Sequence, residues 1–593
     1  MTETVAMTNT VIDFGSEPVL GKVARVDTNR VTIVGSDPAL VTRVSVGDLV
    51  AVQGSLATEF LISIVDRVVR DTEDRLSLDD VDDDEEEVAQ LLVTERDLLR
   101  LVLVGTYRTV EGSQHNTFKR GADSFPKLDR SCFLIEGGNL QFLMSLLAAG
   151  VPLEEQLVLG KFVADSTAIA IADGNRLFQR HAALLGSTGS GKSWTVALIL
   201  ERASKLKYPN LIVFDLHGEY TPLTDQDEGF AETFRIAGPG DLTTPGSDTL
   251  FLPHWLLNHE EMLAMLLDRS DSNAPNQAAR FLTHVRTLKD ATLQTTGHTD
   301  VANTFTVDSP IPYSMDELLG ALKTDDEEMI AGAKVGTEKQ GPYFGKLTRF
   351  IQRLEARRLD RRYGFMFEAP VESMEYGWLS SLLGRLLSSE SGQRGIKIIN
   401  FSEVPSDVLP VVVGVLGRLV FELQFWMAGD ARTPISLVCD EAHLYMPVRD
   451  SADAVATRGV DVFERIAKEG RKYGVSLLIV SQRPADVSRT VLSQCNNFIV
   501  LRLTNDQDQS VVQRLMPESM GGLTAVLPLL DVGEALVLGD AVLLPTRIQI
   551  DPPRIKPDSA TRQFWSEWAA TEAPSAAIAM GVEAMRRQTR LPG

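Results

Sequence analysis

The chain has 593 residues, enough for three or more domains at roughly 100 to 200 residues each. Hydrophobic residues make up 44% and charged residues 23%, which excludes a mostly disordered or fibrous protein. The formal net charge of −23 argues against a surface that binds nucleic acid throughout, but it is compatible with a local basic channel.

The N-terminus shows no targeting pattern. Residues 1–10 lack a basic stretch and an apolar core, so we expect no signal peptide. The most apolar stretch, VLPVVVGVLGRLVFELQFW at 408–426, is interrupted by Arg418 and Glu422, so we expect no membrane-spanning helix. The three cysteines show no metal-ligand spacing, which argues against zinc and disulfides and fits a reducing compartment. These features predict a cytoplasmic protein.

Residues 1–150 have the pattern of a small β-barrel. Short runs rich in Val and Ile, such as GKVARV at 21–26 and EFLISIV at 59–65, are separated by Gly, Asp and Asn. The stretch Asp71–Glu87 holds eleven acidic residues against the single Arg75. Because like charges repel, we expect a solvated acidic loop at 71–87.

The pattern changes to alternating strands and helices after residue 150. Six apolar runs of strand length are separated by helix-length segments, at 181–185, 211–214, 396–401, 436–439, 476–480 and 498–501. They predict a parallel sheet with crossover helices over 151–254 and 386–550. Residues 255–385 are rich in Leu, Arg and Glu at helical spacing, which predicts a helical insertion without such strands. Residues 551–593 predict an extended arm and a terminal helix.

An Arg-rich segment lies inside the predicted insertion, GKLTRFIQRLEARRLDRR at 345–362. It could contact nucleic-acid phosphates. An exposed helix face with i,i+4 charge pairs to Glu355 and Asp360 is the favoured interpretation.

The segment GSTGSGKS at 186–193 follows an apolar run and opens a predicted helix. Its glycines let backbone N–H groups approach phosphate oxygens, and the helix N-terminus adds the positive end of its dipole. Lys192 is expected to neutralise the β- and γ-phosphates, and Ser193 to bind Mg²⁺. The candidate nucleotide-binding residues are Gly186, Ser187, Thr188, Gly189, Ser190, Gly191, Lys192, Ser193 and Trp194.

A second motif, DEAH at 440–443, follows the apolar run at 436–439. Open α/β sheets bind ligands at the carboxyl ends of their strands. Asp440 is therefore expected to hold a water on Mg²⁺, and Glu441 to activate the attacking water as general base. A strand followed by a helix with an acidic N-terminus would have the same sequence pattern. The phosphate-binding motif upstream favours the catalytic interpretation.

Two further strand ends carry polar residues. Asp215, His217 and Glu219 in FDLHGEY could line a cleft beside the γ-phosphate or form an ordinary polar turn. Gln482 in IVSQRPAD is suited to sense the γ-phosphate or to orient the attacking water.

Hydrolysis also needs a cation that stabilises charge on the transferring phosphoryl group, and many ring ATPases take an arginine from the neighbouring subunit. Arg471 in ERIAKEGRKYG is the first candidate, and Arg465 and Arg502 are the alternatives. A solvated basic face is the competing interpretation of this segment.

Together these motifs resemble the HerA-like branch of the HerA/FtsK superfamily of P-loop motor ATPases. The matching segments are GSTGSGKS (186–193), DLHGEY (215–220), DEAH (440–443), EGRKYG (469–474), SQRPAD (481–486) and EALVLGDAVLLPTRIQI (534–550). Family members often have Pro where this chain has Leu216. The resemblance extends over nearly the whole chain and implies a P-loop (RecA-like) α/β parallel-sheet core with a helical insertion, preceded by a small barrel.

The resemblance also implies a homo-hexameric ring with ATP and Mg²⁺ between subunits and double-stranded DNA in its pore. It implies that Lys192, Ser193 and Asp440 hold nucleotide and metal, that Glu441 is the base, and that Gln482 is a sensor. Arg471 is implied to act on the neighbouring subunit. Relatives work with a separately encoded nuclease in DNA-end processing, or with a nuclease or a sirtuin-like NAD-consuming enzyme in antiviral defence. In such pairs the N-terminal barrel docks the partner.

Three functions stay open at this point. The first is a DNA translocase or helicase that serves a partner effector. The second is an ATP-regulated ring scaffold that assembles and controls that effector, with translocation secondary. The third is a metabolic P-loop kinase, disfavoured because the carboxylate pair suits water activation and no small-substrate site is apparent. The sequence contains no nuclease or NAD-binding signature, so DNA cleavage or NAD consumption is expected from another chain.

Overall fold

The computed structural model of the chain describes residues 11–588 apart from 16, 57, 77–90, 110–115, 335, 452–453, 517, 560–561 and 573. It divides into two compact units, each made of separate stretches of the chain. The first unit comprises Met1–Ile199, Gln482–Ala485 and Cys495–Pro553. The second comprises Leu200–Ser481, Asp486–Gln494 and Arg554–Gly593.

The N-terminal part of the first unit is a β-barrel. Its elements are β1 (Gly21–Asp27), β2 (Arg30–Gly35), α1 (Pro38–Arg43), β3 (Leu49–Gln53), β4 (Glu59–Leu76), β5 (Leu91–Arg108), β6 (Thr117–Arg120), β7 (Ser131–Leu134) and α2 (Gly137–Ala149). The strand order is β2-β1-β7-β3-β4-β5, and β2 also pairs with β5, which closes a ring of six antiparallel strands. Side chains such as Val23, Val31 and Ile33 fill the interior. Closure leaves no open sheet edge along this ring and confirms the predicted barrel.

The long hairpin β4–β5 corrects the predicted acidic loop. Backbone pairing continues from Asp71–Arg96 to Leu76–Leu91, so the loop prediction is wrong for residues 71–76. The register sets no acidic residue opposite another, since Asp71 faces Arg96 and Asp74 faces Val93. The rest of the predicted loop, 77–87, lies outside the described residues.

The other strands and helices follow in chain order. The strands are β8 (Gln156–Phe162), β9 (Ile169–Asp173), β10 (Ala182–Leu185), β11 (Leu211–Asp215), β12 (Ala231–Ile236), β13 (Thr249–Leu250), β14 (Met329–Ala331), β15 (Glu338–Gln340), β16 (Ile396–Asn400), β17 (Ile435–Cys439), β18 (Val475–Ser481), β19 (Asn497–Val500), β20 (Glu534–Gly539) and β21 (Thr546–Ile550). The helices are α3 (Gly174–Gln179), α4 (Lys192–Ala203), α5 (His259–Leu266), α6 (Ala274–Thr295), α7 (Thr299–Ala302), α8 (Met315–Glu327), α9 (Thr348–Leu359), α10 (Gly364–Phe367), α11 (Trp378–Leu387), α12 (Leu409–Trp426), α13 (Ala454–Glu469), α14 (Arg489–Gln494), α15 (Asp506–Leu515), α16 (Phe564–Ala570) and α17 (Ser575–Arg587).

Each unit contains a set of hydrogen-bonded strands outside the barrel. In the first unit the order is β10-β19-β20-β21-β8-β9, with β10 and β19 parallel and the following pairs antiparallel. In the second unit the order is β13-β12-β16-β11-β17-β18, and these pairs are parallel. The six predicted apolar runs form β10, β11, β16, β17, β18 and β19. The α/β class with parallel strands and crossover helices is thus confirmed.

Helices α5 to α11 occupy most of residues 259–387, with one departure from the expected absence of strands. The hairpin β14–β15 pairs Met329–Ala331 with Glu338–Gln340. Its side chains are almost all exposed. Because the hairpin buries no apolar face, it has no alternating pattern from which a strand could be predicted.

The Arg-rich helix α9 is held by ion pairs to other elements. Arg353 lies 2.8 Å from Asp268, and Arg358 lies 2.5 Å from Asp316. The expected i,i+4 partner Glu355 instead contacts Lys323 at 2.6 Å. The predicted i,i+4 pairing is therefore wrong, because Asp360 pairs with Arg362 two positions away and residues outside α9 supply the other partners.

One helix among the described residues, α12, is long and apolar enough to cross a membrane, and 72% of its 18-residue window is buried inside the protein. Its Arg418 is also buried and forms two hydrogen bonds to Glu261 of α5, at 2.7 and 2.9 Å. A buried charge with a bidentate partner is a core feature, so α12 is a core helix of the second unit.

The predicted arm with one terminal helix contains two helices, α16 and α17. Pro574 immediately precedes α17 and adopts an extended conformation. A proline at this position cannot continue a helix from the preceding segment. This explains why one predicted helix is observed as two.

Candidate nucleotide-binding site

The loop between β10 and α4 requires glycine for two different reasons. Gly189 and Gly191 have φ values of 72° and 107°, in the region that glycine adopts without strain. A Cβ at Gly186 would lie 2.6 Å from Ser190 Oγ. A Cβ at Gly189 would meet no atom within 4 Å, so that side of the loop is open. The loop can therefore approach a ligand with its backbone.

Polar groups of this loop suit an anionic ligand. Lys192 opens α4, is 8% exposed, and donates a hydrogen bond from Nζ to the Ser187 carbonyl at 3.2 Å. The Ser190 hydroxyl is fully buried and has no hydrogen-bond partner among the described residues. A buried donor of this kind is costly unless a ligand or water satisfies it. An ammonium group, hydroxyls and helix N-terminal amides together fit the phosphates of a nucleotide.

Hydrogen bonds anchor the loop within the first unit. The Ser187 N–H donates to the Arg502 carbonyl at 2.8 Å, and the Thr504 N–H donates to Ser187 Oγ at 3.2 Å. The Gly533 N–H donates to the Ser190 carbonyl at 3.0 Å. The loop is therefore held by the chain that follows β19 and by the turn before β20, which preorganises it for binding.

The structure brings Gln482 to this loop. The Thr188 hydroxyl donates to Gln482 Oε1 at 2.5 Å, although the two residues are 294 positions apart. Thr188 itself is exposed. A change in the position of the Thr188 side chain therefore directly alters a hydrogen bond of the Gln482 amide.

Asp440 and Glu441 follow β17 in the second unit, as the strand-end prediction placed them. They are 4% and 8% exposed. Glu441 has φ 46° and ψ 42°, a left-handed conformation that is unusual for a residue with a side chain. Its N–H donates to Asp440 Oδ1 at 2.9 Å. Such strain costs on the order of 1–3 kcal/mol and clusters at functional sites.

Carboxylates concentrate around this strand end. Burial, followed by repulsion from Glu441, Glu219 and Asp215, raises the pKa of Asp440 well above its usual value. The described ranges contain no set of three His, Cys, Asp or Glu side chains arranged around one point. Mg²⁺ in nucleotide sites usually takes one or two carboxylates with waters and phosphates. The hard oxygen donors here fit such an ion.

Asp215 forms the polar turn that was the alternative to a cleft. Its fully buried carboxylate accepts hydrogen bonds from the N–H groups of Gly218 at 2.8 Å, Glu219 at 3.1 Å and Tyr220 at 3.0 Å. His217, the other candidate of this segment, is exposed. Asp215 therefore shapes the segment that presents Glu219.

The three candidate arginines differ in their surroundings. Arg471 lies on an exposed turn of the second unit, and no ion-pair partner is found for it within the described residues. Arg465 lies 3.5 Å from Glu469 and 4.8 Å from the centre of the Phe421 ring. Arg502 belongs to the first unit, where its carbonyl anchors the phosphate loop. Arg471 is thus the candidate with the least committed guanidinium.

His443 has a place in the site that the sequence did not reveal. It is the last residue of DEAH, and its Nδ1 lies 3.2 Å from Glu441 Oε2. The Ser481 hydroxyl, at the end of β18, lies 3.4 Å from the same nitrogen. The spacing of two residues from Glu441 was the available signal, whereas the Ser481 contact needed the fold.

Comparisons with known proteins show which proteins this chain is similar to. A family model described as "Helicase HerA, central domain" matches residues 157–420. A probable helicase of Methanocaldococcus jannaschii is 26% identical over 399 residues, which cover 67% of each chain. The DNA double-strand break repair helicase HerA of Pyrococcus furiosus is 27% identical over 409 residues, covering 64% of this chain and 66% of that protein. The match thus spans about two thirds of these relatives.

Among solved structures, VirB4 of Thermoanaerobacter pseudethanolicus aligns with 68% of this chain and 97% of that chain, at 16% identity and a TM-score of 0.45. The phosphate loop at 186–193 lies inside the region that the family model matches. The strand end with Asp440 and Glu441 follows that region in the sequence. The family model and these relatives, together with this loop and these carboxylates, support a HerA-like ATPase of the helicase type.

Proposed function

We propose that this chain is the subunit of a hexameric motor that hydrolyses ATP with Mg²⁺ to move along double-stranded DNA. The loop at 186–193 carries the proposal, because its open glycines, buried Lys192 and unpartnered Ser190 hydroxyl suit a triphosphate. Several relatives are named as DNA double-strand break repair helicases, which supports DNA as the track.

Each part of the reaction has a candidate residue. Bound ATP with Mg²⁺ supplies the phosphoryl group and neutralises charge on its oxygens. Lys192 binds the β- and γ-phosphates, while Ser193 and Asp440 hold Mg²⁺. Glu441 takes a proton from the attacking water, and Gln482 senses the terminal phosphate through its contact with Thr188.

The domains divide this work in our proposal. The core comprises 151–254 and 386–550, with the helical insertion at 255–385 and the arm at 551–593. The barrel within 1–150 docks a separately encoded nuclease or sirtuin-like effector, in DNA-end processing or antiviral defence. Support comes from the closed barrel and from the lack of a nuclease or NAD-binding motif in the sequence. We place the assembly in the cytoplasm, with DNA in its central pore.

The test is ATP hydrolysis by the purified full chain with and without long duplex DNA. We expect turnover to rise several-fold with DNA and to vanish in Lys192→Ala. The matched control is Lys205→Ala, since Lys205 lies just after the same helix and its side chain is 60% exposed. Turnover that ignores DNA but responds to a co-purifying protein would favour the ring scaffold, and phosphorylation of a metabolite would favour a kinase.

A further inference from the structure

His443 lies against the general base, and the proposed reaction gives it no task. Its Nδ1 is 3.2 Å from Glu441 Oε2, and the side chains of both residues are 10% exposed. At this degree of burial, solvent screens the contact little. The contact has the distance of an ion pair, whereas the hydrogen-bond geometry of His443 Nδ1 is with the Ser481 hydroxyl.

The Glu441 backbone is already fixed by its neighbours. Its N–H donates to Asp440 Oδ1 at 2.9 Å, and its carbonyl accepts from the Leu444 N–H at 2.9 Å. The left-handed conformation sends the side chain off in a direction different from that of an ordinary strand residue. Beyond Cα, rotamers still decide where the carboxylate lies, and the contact with His443 limits them.

A second group competes for the same nitrogen. The Ser481 hydroxyl lies 3.4 Å from His443 Nδ1. With a proton on Nδ1, a rotation of the ring would let it donate to Glu441, whereas without that proton the ring accepts from the Ser481 hydroxyl. Only the first of these two arrangements fixes the orientation of the Glu441 carboxylate. Ser481 also directly precedes Gln482, the residue that contacts the phosphate loop.

We propose that His443 is the positioning residue of Glu441, and that Ser481 competes with the carboxylate for the His443 ring. When the ring turns so that Nδ1–H donates to Oε2, the carboxylate is oriented to take the proton of the attacking water. When the ring turns to Ser481, the base is released and hydrolysis stops. A shift of the chain at 481–482 would thereby couple the γ-phosphate sensor to the base. This inference rests on the ATPase function proposed above.

The experiment measures steady-state hydrolysis and the binding of a non-hydrolysable ATP analogue by the full chain. His443→Ala should lower kcat by about ten- to hundredfold, because a misplaced base loses its alignment. Analogue binding should change less than about twofold, since the residues of the phosphate loop are unaltered. His443→Asn keeps an N–H donor and should recover part of kcat. Ser481→Ala should raise turnover without DNA, because it removes the competitor for the ring.

Controls separate positioning from folding. His259→Ala removes a similar pair, with Asp308 at 2.8 Å, that is only half-buried and outside the site, so it should leave kcat unchanged. In a Glu441→Gln background, His443→Ala should cause no further loss, because it acts through that carboxylate.

Several results would overturn the positioning role. They are a His443→Ala kcat within about twofold of wild type, a full additional loss in the Glu441→Gln background, and equal loss of analogue binding in both His443 variants. If the alanine variant does not fold, the positioning role is tested with His443→Asn and with the double-mutant cycle of His443→Asn and Glu441→Gln. A wild-type chain that hydrolyses no ATP would instead overturn the proposed function.

Discussion

Asp440 and Glu441 place two adjacent carboxylates at a buried strand end, with Glu219 and Asp215 nearby. Negative charges this close together in a buried site are stable only when a bound cation or a proton compensates them. Burial and the neighbouring carboxylates raise the pKa of Asp440 well above its usual value. At the scale of residues, this arrangement supports our proposal that the site binds a nucleotide with Mg²⁺.

Replacing Glu441 by Gln should separate binding from hydrolysis. The amide has nearly the same shape but accepts no proton, so hydrolysis should fall by about a hundred- to ten-thousandfold. ATP should stay bound, because the phosphate loop is unchanged. Single-turnover hydrolysis together with equilibrium nucleotide binding measures both effects. Rapid turnover in this variant would show that Glu441 is not the base.

His254 should make the second unit sensitive to acid. It is buried, and desolvation, with repulsion from Lys289 and Arg358, lowers its pKa to about 4 despite its hydrogen bond to the Tyr313 carbonyl. In the unfolded chain the pKa is about 6.5, so between about pH 6.5 and pH 4 the unfolded state binds more protons. Stability should therefore fall by about 3 kcal/mol as the pH drops through this window.

Urea unfolding at pH 7.5 and pH 4.5, followed through the second unit, measures this loss. The matched variant is His254→Gln, which cannot take up the proton. Its unfolding midpoint should change less between the two pH values than that of the wild type. Equal pH dependence in both proteins would assign the acid sensitivity to other groups.

At the scale of elements, helix α12 shows how a polar group can hold two helices together in a core. Arg418 pairs with Glu261 of α5 and also donates to the Leu256 carbonyl at 2.6 Å. The same residue interrupts the apolar run that otherwise has the length of a membrane span. Its partners lie far away in the sequence, so these contacts join α12 to the first residues of the helical insertion.

Breaking this pair should destabilise the second unit. Arg418→Ala leaves Glu261 buried without its partner, which costs about 3–5 kcal/mol. The control Arg562→Ala removes a pair whose arginine is 82% exposed, and should cost less than about 1 kcal/mol. Midpoints of urea unfolding report both. Equal small effects would mean that solvent or another group compensates Glu261.

At the scale of the whole molecule, the net charge of −23 confines any nucleic-acid contact to a local basic surface. The proposed assembly also needs an arginine from one subunit to complete the site of the next. Arg471, exposed and without an ion pair in the described part of the chain, is suited to reach another subunit.

Mixing two inactive variants tests this arrangement. Arg471→Ala should lower kcat by about a thousandfold, since the trans arginine stabilises the transferring phosphoryl group. Mixed with Lys192→Ala subunits, it should regain part of the activity, because each intact phosphate loop can then neighbour an intact arginine. Arg465→Ala is the control, as its guanidinium is already engaged by Glu469 and Phe421. No recovery in mixed particles of confirmed mass would place the arginine in cis.

The sequence alone determined the features that depend on neighbouring residues. The phosphate loop could be recognised because its glycines, lysine and serine are consecutive and act through the local backbone. The six strands could be predicted because strands buried on both faces are continuous apolar runs. Tertiary structure decided the rest, since it depends on pairing across long separations. The contact of Thr188 with Gln482, the extension of β4 past Asp71 and the position of Ser481 beside His443 arise only when distant segments meet. No local pattern encodes these contacts.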